Sequence, residues 1–230
     1  MIHVTIEKCQ ISKMEDCNII SGTRYSLVLT DTTIEGVKGN EFIYFRPYYT
    51  SESFILNNVS LSNSELHCFV QLVGIFDVEE DPLKDVELEI RVSNSIFQNC
   101  NDQYGIFMLF GSLPLTMKNC TFDHVRHPIY SGGGFPLSKK VDMSNLHVTN
   151  TKGIVLKSYK STDTPESMSL THSQFEDNQP ALHLEKAPTL WSRNNTFKRN
   201  SPAMIVAETK VTIHDSIFHG NNNERGGAIA

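Results

Sequence analysis

The chain has 230 residues, of which 39% are hydrophobic and 20% charged, the proportions of a folded globular protein rather than of a disordered segment. Its formal charge of −6, from 20 basic and 26 acidic residues, offers no basic patch for a phosphate backbone and argues against nucleic acid as a partner. The longest apolar runs, such as Ile106-Phe107-Met108-Leu109-Phe110, fall far short of the ~20 residues of a membrane helix, so no span is expected. Residues 1–20 lack a basic start followed by an apolar stretch, and no signal peptide is read there.

Taken in chain order, the sequence repeats itself. A common local pattern centres on Ile11, Ile34, Leu61, Phe97, Phe122, Val148, Phe175, Phe197 and Phe218, spaced by 23, 27, 36, 25, 26, 27, 22 and 21 residues. Seven residues before each anchor stand Val4, Leu27, Phe54, Ile90, Leu115, Val141, Met168, Leu190 and Val211, all apolar. Five before it stand Ile6, Leu29, Leu56, Val92, Met117, Met143, Leu170, Ser192 and Ile213, with Ser192 the single polar exception. Apolar residues two apart, with polar ones between, predict a strand with one face buried.

The position three before the anchor holds Lys8, Asp31, Asn58, Asn94, Asn119, Asn145, His172, Asn194 and Asp215. Asn and Asp tolerate a left-handed backbone and hydrogen-bond their own turn, so this column predicts a tight bend in every unit. The mostly small residues one position later, together with the anchor, predict a second short strand. A third apolar strand follows after a variable gap, at Ile106-Phe107-Met108, Ile154-Val155-Leu156, Leu182-His183-Leu184, Met204-Ile205-Val206 and Ala228-Ile229-Ala230. Three strands per unit with no helical periodicity between them predict an all-β solenoid.

These columns resemble the right-handed, single-stranded parallel β-helix of the pectin-lyase-like kind, in about nine coils that make one domain over residues 1–230. The resemblance implies three parallel sheets, an asparagine ladder at one bend and an internal aromatic stack of Phe97, Phe122, Phe175, Phe197 and Phe218. The segment SIFHGNNNERGGAI resembles more narrowly the repeat of the chlamydial polymorphic outer membrane proteins, F-x-x-N followed by G-G-A-I. Phe218 and Asn221 match its first half, and Gly226, Gly227, Ala228 and Ile229 its second. Phe175 with Asn178 and Phe197 with Asn200 repeat the first half without the glycine pair.

Such folds carry enzymes and inert scaffolds alike, so function must come from a site. The outward positions of the third sheet are expected to be Phe107, Tyr130, Val155, His183 and Ile205, an apolar face rather than the acidic one a polysaccharide lyase or glycoside hydrolase would show. The strongest enzyme-like cluster is FDHVRHPIY, with Asp123, His124, Arg126, His127 and Tyr130 at the bend leading into that sheet. A uronate epimerase or lyase would use Arg126 to neutralise a carboxylate, with His127 and Tyr130 exchanging a proton. The plainer reading makes them solvated bend residues, with His183 further along the same face.

Extra length falls after the third strand, at residues 46–52, 76–89, 131–140 and 157–167, and places Tyr48, Tyr49, Phe135 and Tyr159 for contact with a sugar or a protein or for packing back on the sheet. The seven acids of residues 77–89 lack the regular ligand spacing of a calcium loop, and no cofactor or metal is expected. Three N-glycosylation sequons, at Asn58, Asn119 and Asn194, fall in the bend column and are explained by it. Of the five cysteines, Cys9, Cys17, Cys68, Cys100 and Cys120, the column-mates Cys9 and Cys120 lie four coils, about 19 Å, apart, too far to bridge.

The sequence thus points to a non-catalytic scaffold or adhesin-like segment of a larger extracellular or cell-surface protein, open to continuation of its coil stack at both ends. Its expected partner is a glycan or a protein, bound through Tyr130, His183, Tyr159 and Phe135. The alternatives are a carbohydrate-active enzyme with its site near residues 123–130 and a cytoplasmic location.

Overall fold

The computed structural model describes residues 2–16, 18–23, 25–47, 52–74, 89–110, 113–132, 140–157, 167–222 and 228–229. The chain winds into a parallel solenoid whose strands all pair in parallel with the strand one coil away. A representative coil has three short strands, Leu115–Lys118, Thr121–Val125 and Ile129–Gly132, one in each of three ladders. In the second, third and fourth coils neighbouring strands fuse: Tyr25–Glu35 and Ser53–Ser62 run through the first two ladders, and Ile96–Phe110 through the last two. Among the described residues there is no helix, and so none long and apolar enough to cross a membrane.

Register follows the apolar columns. In the first ladder Val4 pairs with Leu27, Leu27 with Phe54, Phe54 with Ile90, Leu115 with Val141, Val141 with Met168, Met168 with Leu190 and Leu190 with Val211. The second ladder aligns the anchors in the same way, Leu61 with Phe97, Phe97 with Phe122 and Phe122 with Val148. A strand period of two then drops each apolar residue into a common interior. Leu27, Phe54, Val92, Phe97, Phe122, Phe175 and Phe197 are fully buried or nearly so, each contributing roughly 1.5–3 kcal/mol of burial.

Two bends per coil let these ladders meet. The nine residues three before the anchors, Lys8 and His172 included, all have positive φ, between 48° and 54°. A second such column lies two residues after the anchors: Lys13, Gly36, Asn63, Asn99, His124, Asn150, Asp177, Arg199 and Gly220. The first bend carries an outward amide ladder, with Asn119 Nδ2 donating to Asn94 Oδ1 and Asn145 Nδ2 to Asn119 Oδ1, each at 3.0 Å.

A second ladder runs inside the other bend, where the asparagines of F-x-x-N stand. Asn178 Nδ2 donates to Asn200 Oδ1 at 2.9 Å and Asn200 Nδ2 to Asn221 Oδ1 at 3.0 Å. The same amide groups donate to Val148 O and Phe175 O. This inner ladder satisfies buried backbone groups that would otherwise lack partners.

The structure corrects two expectations and accounts for one exception. Of the residues two before the anchors, Thr32 and Val59 lie in the fused strands and pair with each other, but the other seven belong to the first bend rather than to the second strand. There Ser95 Oγ donates to Ser93 O and accepts from Val59 N, and Cys120 Sγ donates to Lys118 O. The aromatic stack is broken into two pieces, Phe97–Phe122 and Phe175–Phe197–Phe218, with centroids 4.9–5.1 Å apart, because Val148 occupies the rung between them. Ser192, the polar exception in its column, is buried and accepts from Asn195 Nδ2 at 2.9 Å, so the core tolerates it as one half of a hydrogen-bonded pair.

Candidate functional site

The third ladder sets the candidate site. Tyr130 pairs with Met108 on one side and Val155 on the other, and Val155 with His183, then Ile205. Tyr130, Val155, His183 and Ile205 therefore share one outward column. Phe107 does not join it: it pairs with Ile129, points inward and is fully buried, and Met108 takes the outward place. Alternation along the strand dictates this, since Phe107 follows the interior register of Val70. His183 lies two coils from Tyr130; burial and then Lys157 hold its imidazole below the ordinary value, against a smaller opposing pull from Glu185.

Arg126, His127 and Tyr130 are brought together at the corner between the second and third ladders, where with Gln103 and Tyr104 they line a cleft of about 200 Å³. Asp123 is not part of this group. Its Oδ1 accepts from Thr149 Oγ1 at 2.6 Å and Asn150 Nδ2 at 3.0 Å, and pairs with His124 Nδ1 at 2.9 Å. Partial burial works upward on its carboxyl, but the Thr149, Asn150 and His124 contacts prevail and bring it down to about 2. Asp123 and His124 are thus bend chemistry, with His124 in the left-handed conformation at φ 51°. Phe135 and Tyr159, like Tyr48, Tyr49, Cys17, Gly226, Gly227 and the acidic run up to Glu87, lie outside the described residues.

His127 is held in one tautomer. Its Nδ1 lies 3.1 Å from Gly153 O; a carbonyl only accepts, so Nδ1 carries the proton and Nε2 of the neutral ring presents a lone pair. Burial lowers the imidazole below its ordinary value, with the Arg126 charge adding to it, against the opposing backbone contacts at Gly153 and Lys152. Gly105 lets the next coil approach closely: a Cβ there would stand 3.0 Å from His127 O and 3.2 Å from the Cβ atoms of His127 and Tyr130.

Three coils present rings in succession at this corner. His67 and Tyr104 have centroids 6.3 Å apart, Tyr104 and Tyr130 6.5 Å, and His127 and Tyr130 5.4 Å. On either side lie larger clefts, one of about 480 Å³ reaching back to Asp16 and Lys38 and one of about 710 Å³ reaching forward to Lys152 and Gln179. Arg126 lines all three and is exposed. Together they make one groove along the solenoid axis, lined by mixed charge. Among the described residues no group of three or more His, Cys, Asp or Glu is placed to hold a metal.

A family model described as right handed beta helix region matches residues 85–223, more than half of the chain. The chain belongs to the right-handed β-helix family. Neither a search of the curated proteins nor one of the solved structures gave a match. The match takes in six of the nine anchors, Phe97 through Phe218, while the three earlier coils of the β-helix continue the same ladders, Leu61 pairing with Phe97 across the boundary region.

The ring stripe was only half legible in the sequence. Tyr130 and the Arg126-His127 corner stood out in FDHVRHPIY, but His67 and Tyr104 did not. They fall where the register shifts between Leu66 and Cys68, and a bulge re-aims side chains that strict alternation would place elsewhere.

Proposed function

We propose that this β-helix is a non-catalytic, adhesin-like scaffold that binds an extended glycan in the groove along its axis. The observation that carries the reading is the stripe of rings on three successive coils, His67, Tyr104 and Tyr130, beside the exposed Arg126. Rings in such a row offer apolar faces to the C–H faces of successive sugars, while Arg126 and Gln103 supply hydrogen-bond donors. A solenoid presents such an elongated surface without any catalytic group. The F-x-x-N motifs at Phe175, Phe197 and Phe218 support a likeness to the polymorphic outer membrane protein repeat, and with it a place on the cell surface or outside the cell.

The test is binding of the purified chain to immobilised polysaccharides, read against Tyr104→Ala and Tyr130→Ala. Retention of one or more glycans, weakened in both variants, is expected. Retention of none, or retention indifferent to both substitutions, overturns the reading.

A second reading, a carbohydrate-active enzyme of pectin-lyase-like ancestry, is favoured by one observation: the Nε2 lone pair of His127 shares the 200 Å³ cleft with Arg126 and Tyr130. Depolymerisation or epimerisation of a uronate polymer, abolished in both Arg126→Ala and His127→Ala, would replace the scaffold reading with this one.

A further inference from the structure

Asp102 lies beneath the junction of the groove and is only 3% exposed. Its Oδ2 accepts the backbone N–H of Arg126, one coil on, at 2.8 Å, and its Oδ1 has no hydrogen-bond partner. A carboxylate buried with half of its acceptor capacity unused is held there at a cost in stability. The same group fixes the backbone from which Arg126 and His127 project. Around it stand Cys68 from the preceding coil, Cys100 from its own, and Arg126 and His127 from the next. Lys152, His124 and Asp177 line the cleft on one side of it, and Asp16, Lys38, Glu65 and His67 the cleft on the other.

We propose that Asp102 is a positioning residue for the Arg126–His127 corner, and that its protonation loosens this corner and so makes the groove sensitive to pH. Ionised, Asp102 gives the Arg126 N–H a charge-assisted bond, roughly twice as strong as a neutral one, and sets a negative charge near the guanidinium. Protonated, it keeps a weaker acceptor and loses the charge. Burial raises its carboxyl to about 6, against the opposing pull of the Arg126 and His127 N–H groups and the Arg126 charge. The change therefore falls in a mildly acidic range, well above ordinary aspartates. The inference rests on the backbone geometry and is independent of the glycan reading.

The experiment follows the Asp102 carboxyl carbon and the Arg126 amide of the labelled full chain by NMR, with amide exchange, from about pH 7.5 to about pH 4.5. The expected result is a common midpoint near 6, with Arg126 protection, corrected for intrinsic exchange, falling about fivefold to tenfold, the difference between a charged and a neutral acceptor. Asp102→Asn, which keeps an acceptor but no charge, should hold Arg126 at the lower protection throughout. An Asp102 midpoint in the ordinary carboxylate range overturns the proposal, as does a pH dependence that persists in Asp102→Asn and so belongs to His127. Should that variant fail to fold, the wild-type chain still decides: an Arg126 amide that does not move with the Asp102 carboxyl overturns it.

Discussion

Gly153 places its carbonyl oxygen 3.1 Å from His127 Nδ1 across adjacent coils, and it does so from a position only glycine can hold. Its φ is +68°, and a Cβ there would fall 2.0 Å from Pro180 O and 2.4 Å from Ala181 O. Its N–H donates to Thr151 Oγ1 at 2.8 Å, so the loop is fixed at both ends of the residue. The orientation of the His127 ring is therefore set by packing in the next coil rather than by its own neighbours in sequence.

Gly36 provides the control for that position, because its φ of +65° is similar but no atom lies within 4 Å of a Cβ there. Gly36→Ala should lose only the left-handed penalty, about 1–2 kcal/mol. Gly153→Ala adds a clash with two backbone carbonyls and should lose more than ~4 kcal/mol, the exceptional range. Urea denaturation of the two variants measures the difference; equal losses would mean that the coils yield easily at Gly153.

The two amide ladders should differ as sharply. Asn200 is 1% exposed, donates to Phe175 O and Asn221 Oδ1, and accepts both from Asn178 N at 3.0 Å and from Asn178 Nδ2. Asn200→Ala strands several buried partners at about 1–3 kcal/mol each, so a loss of ~3 kcal/mol or more is expected. Asn200→Asp should be nearly as damaging, because a carboxylate cannot donate to Phe175 O. Asn119→Ala removes the same kind of bonds in the exposed ladder, where water replaces them, and should lose less than ~1 kcal/mol. Thermal unfolding of the three variants checks the order.

Much of this was legible beforehand, for a physical reason. A solenoid repeats its packing every coil, so the interior writes itself into the sequence as columns, and the left-handed bend before each anchor shows as Asn and Asp. The second bend was equally written, in Gly36, Asn63, Asn99, Asn150, Asp177 and Gly220, and the F-x-x-N asparagines are its inner lining. What escaped was anything that breaks the period. The register shift hid His67 and Tyr104, and fusion of two ladders in Ile96–Phe110 reversed the facing expected of Phe107. Asp102 was invisible for the same cause: nothing in NCNDQYG marks which polar side chain the irregular coil buries.

Acid titration should find Asp123. Its native pKa of about 2 lies below the ordinary 3.8, so its contribution to stability is present above the unfolded value and is lost as pH falls from about 4 towards 2. Thr149→Val removes the 2.6 Å bond from the Thr149 hydroxyl. The variant should lose part of the stability at neutral pH and show a shallower decline through this window, read as denaturation midpoints at several pH values. A decline identical to wild type would show that Asn150 and His124 hold the carboxylate without Thr149.

Ligand binding should distinguish a row of rings from a lone one. Trp191 is the larger and more exposed surface, at 49% against 40% for Tyr104, and on area alone would be the better platform. It sits on the first ladder, however, between Ser169 and Thr212, so its own column offers no ring on either adjoining coil. A polymer lying along the axis gains contact from each coil it crosses, so Tyr104, with His67 and Tyr130 on either side, should matter more. For any polysaccharide the chain retains, Tyr104→Ala should weaken binding about tenfold or more, ~1.4 kcal/mol, while Trp191→Ala leaves it unchanged. Affinity electrophoresis measures both, and the reverse ranking would move the binding face from the Arg126 groove to the first sheet.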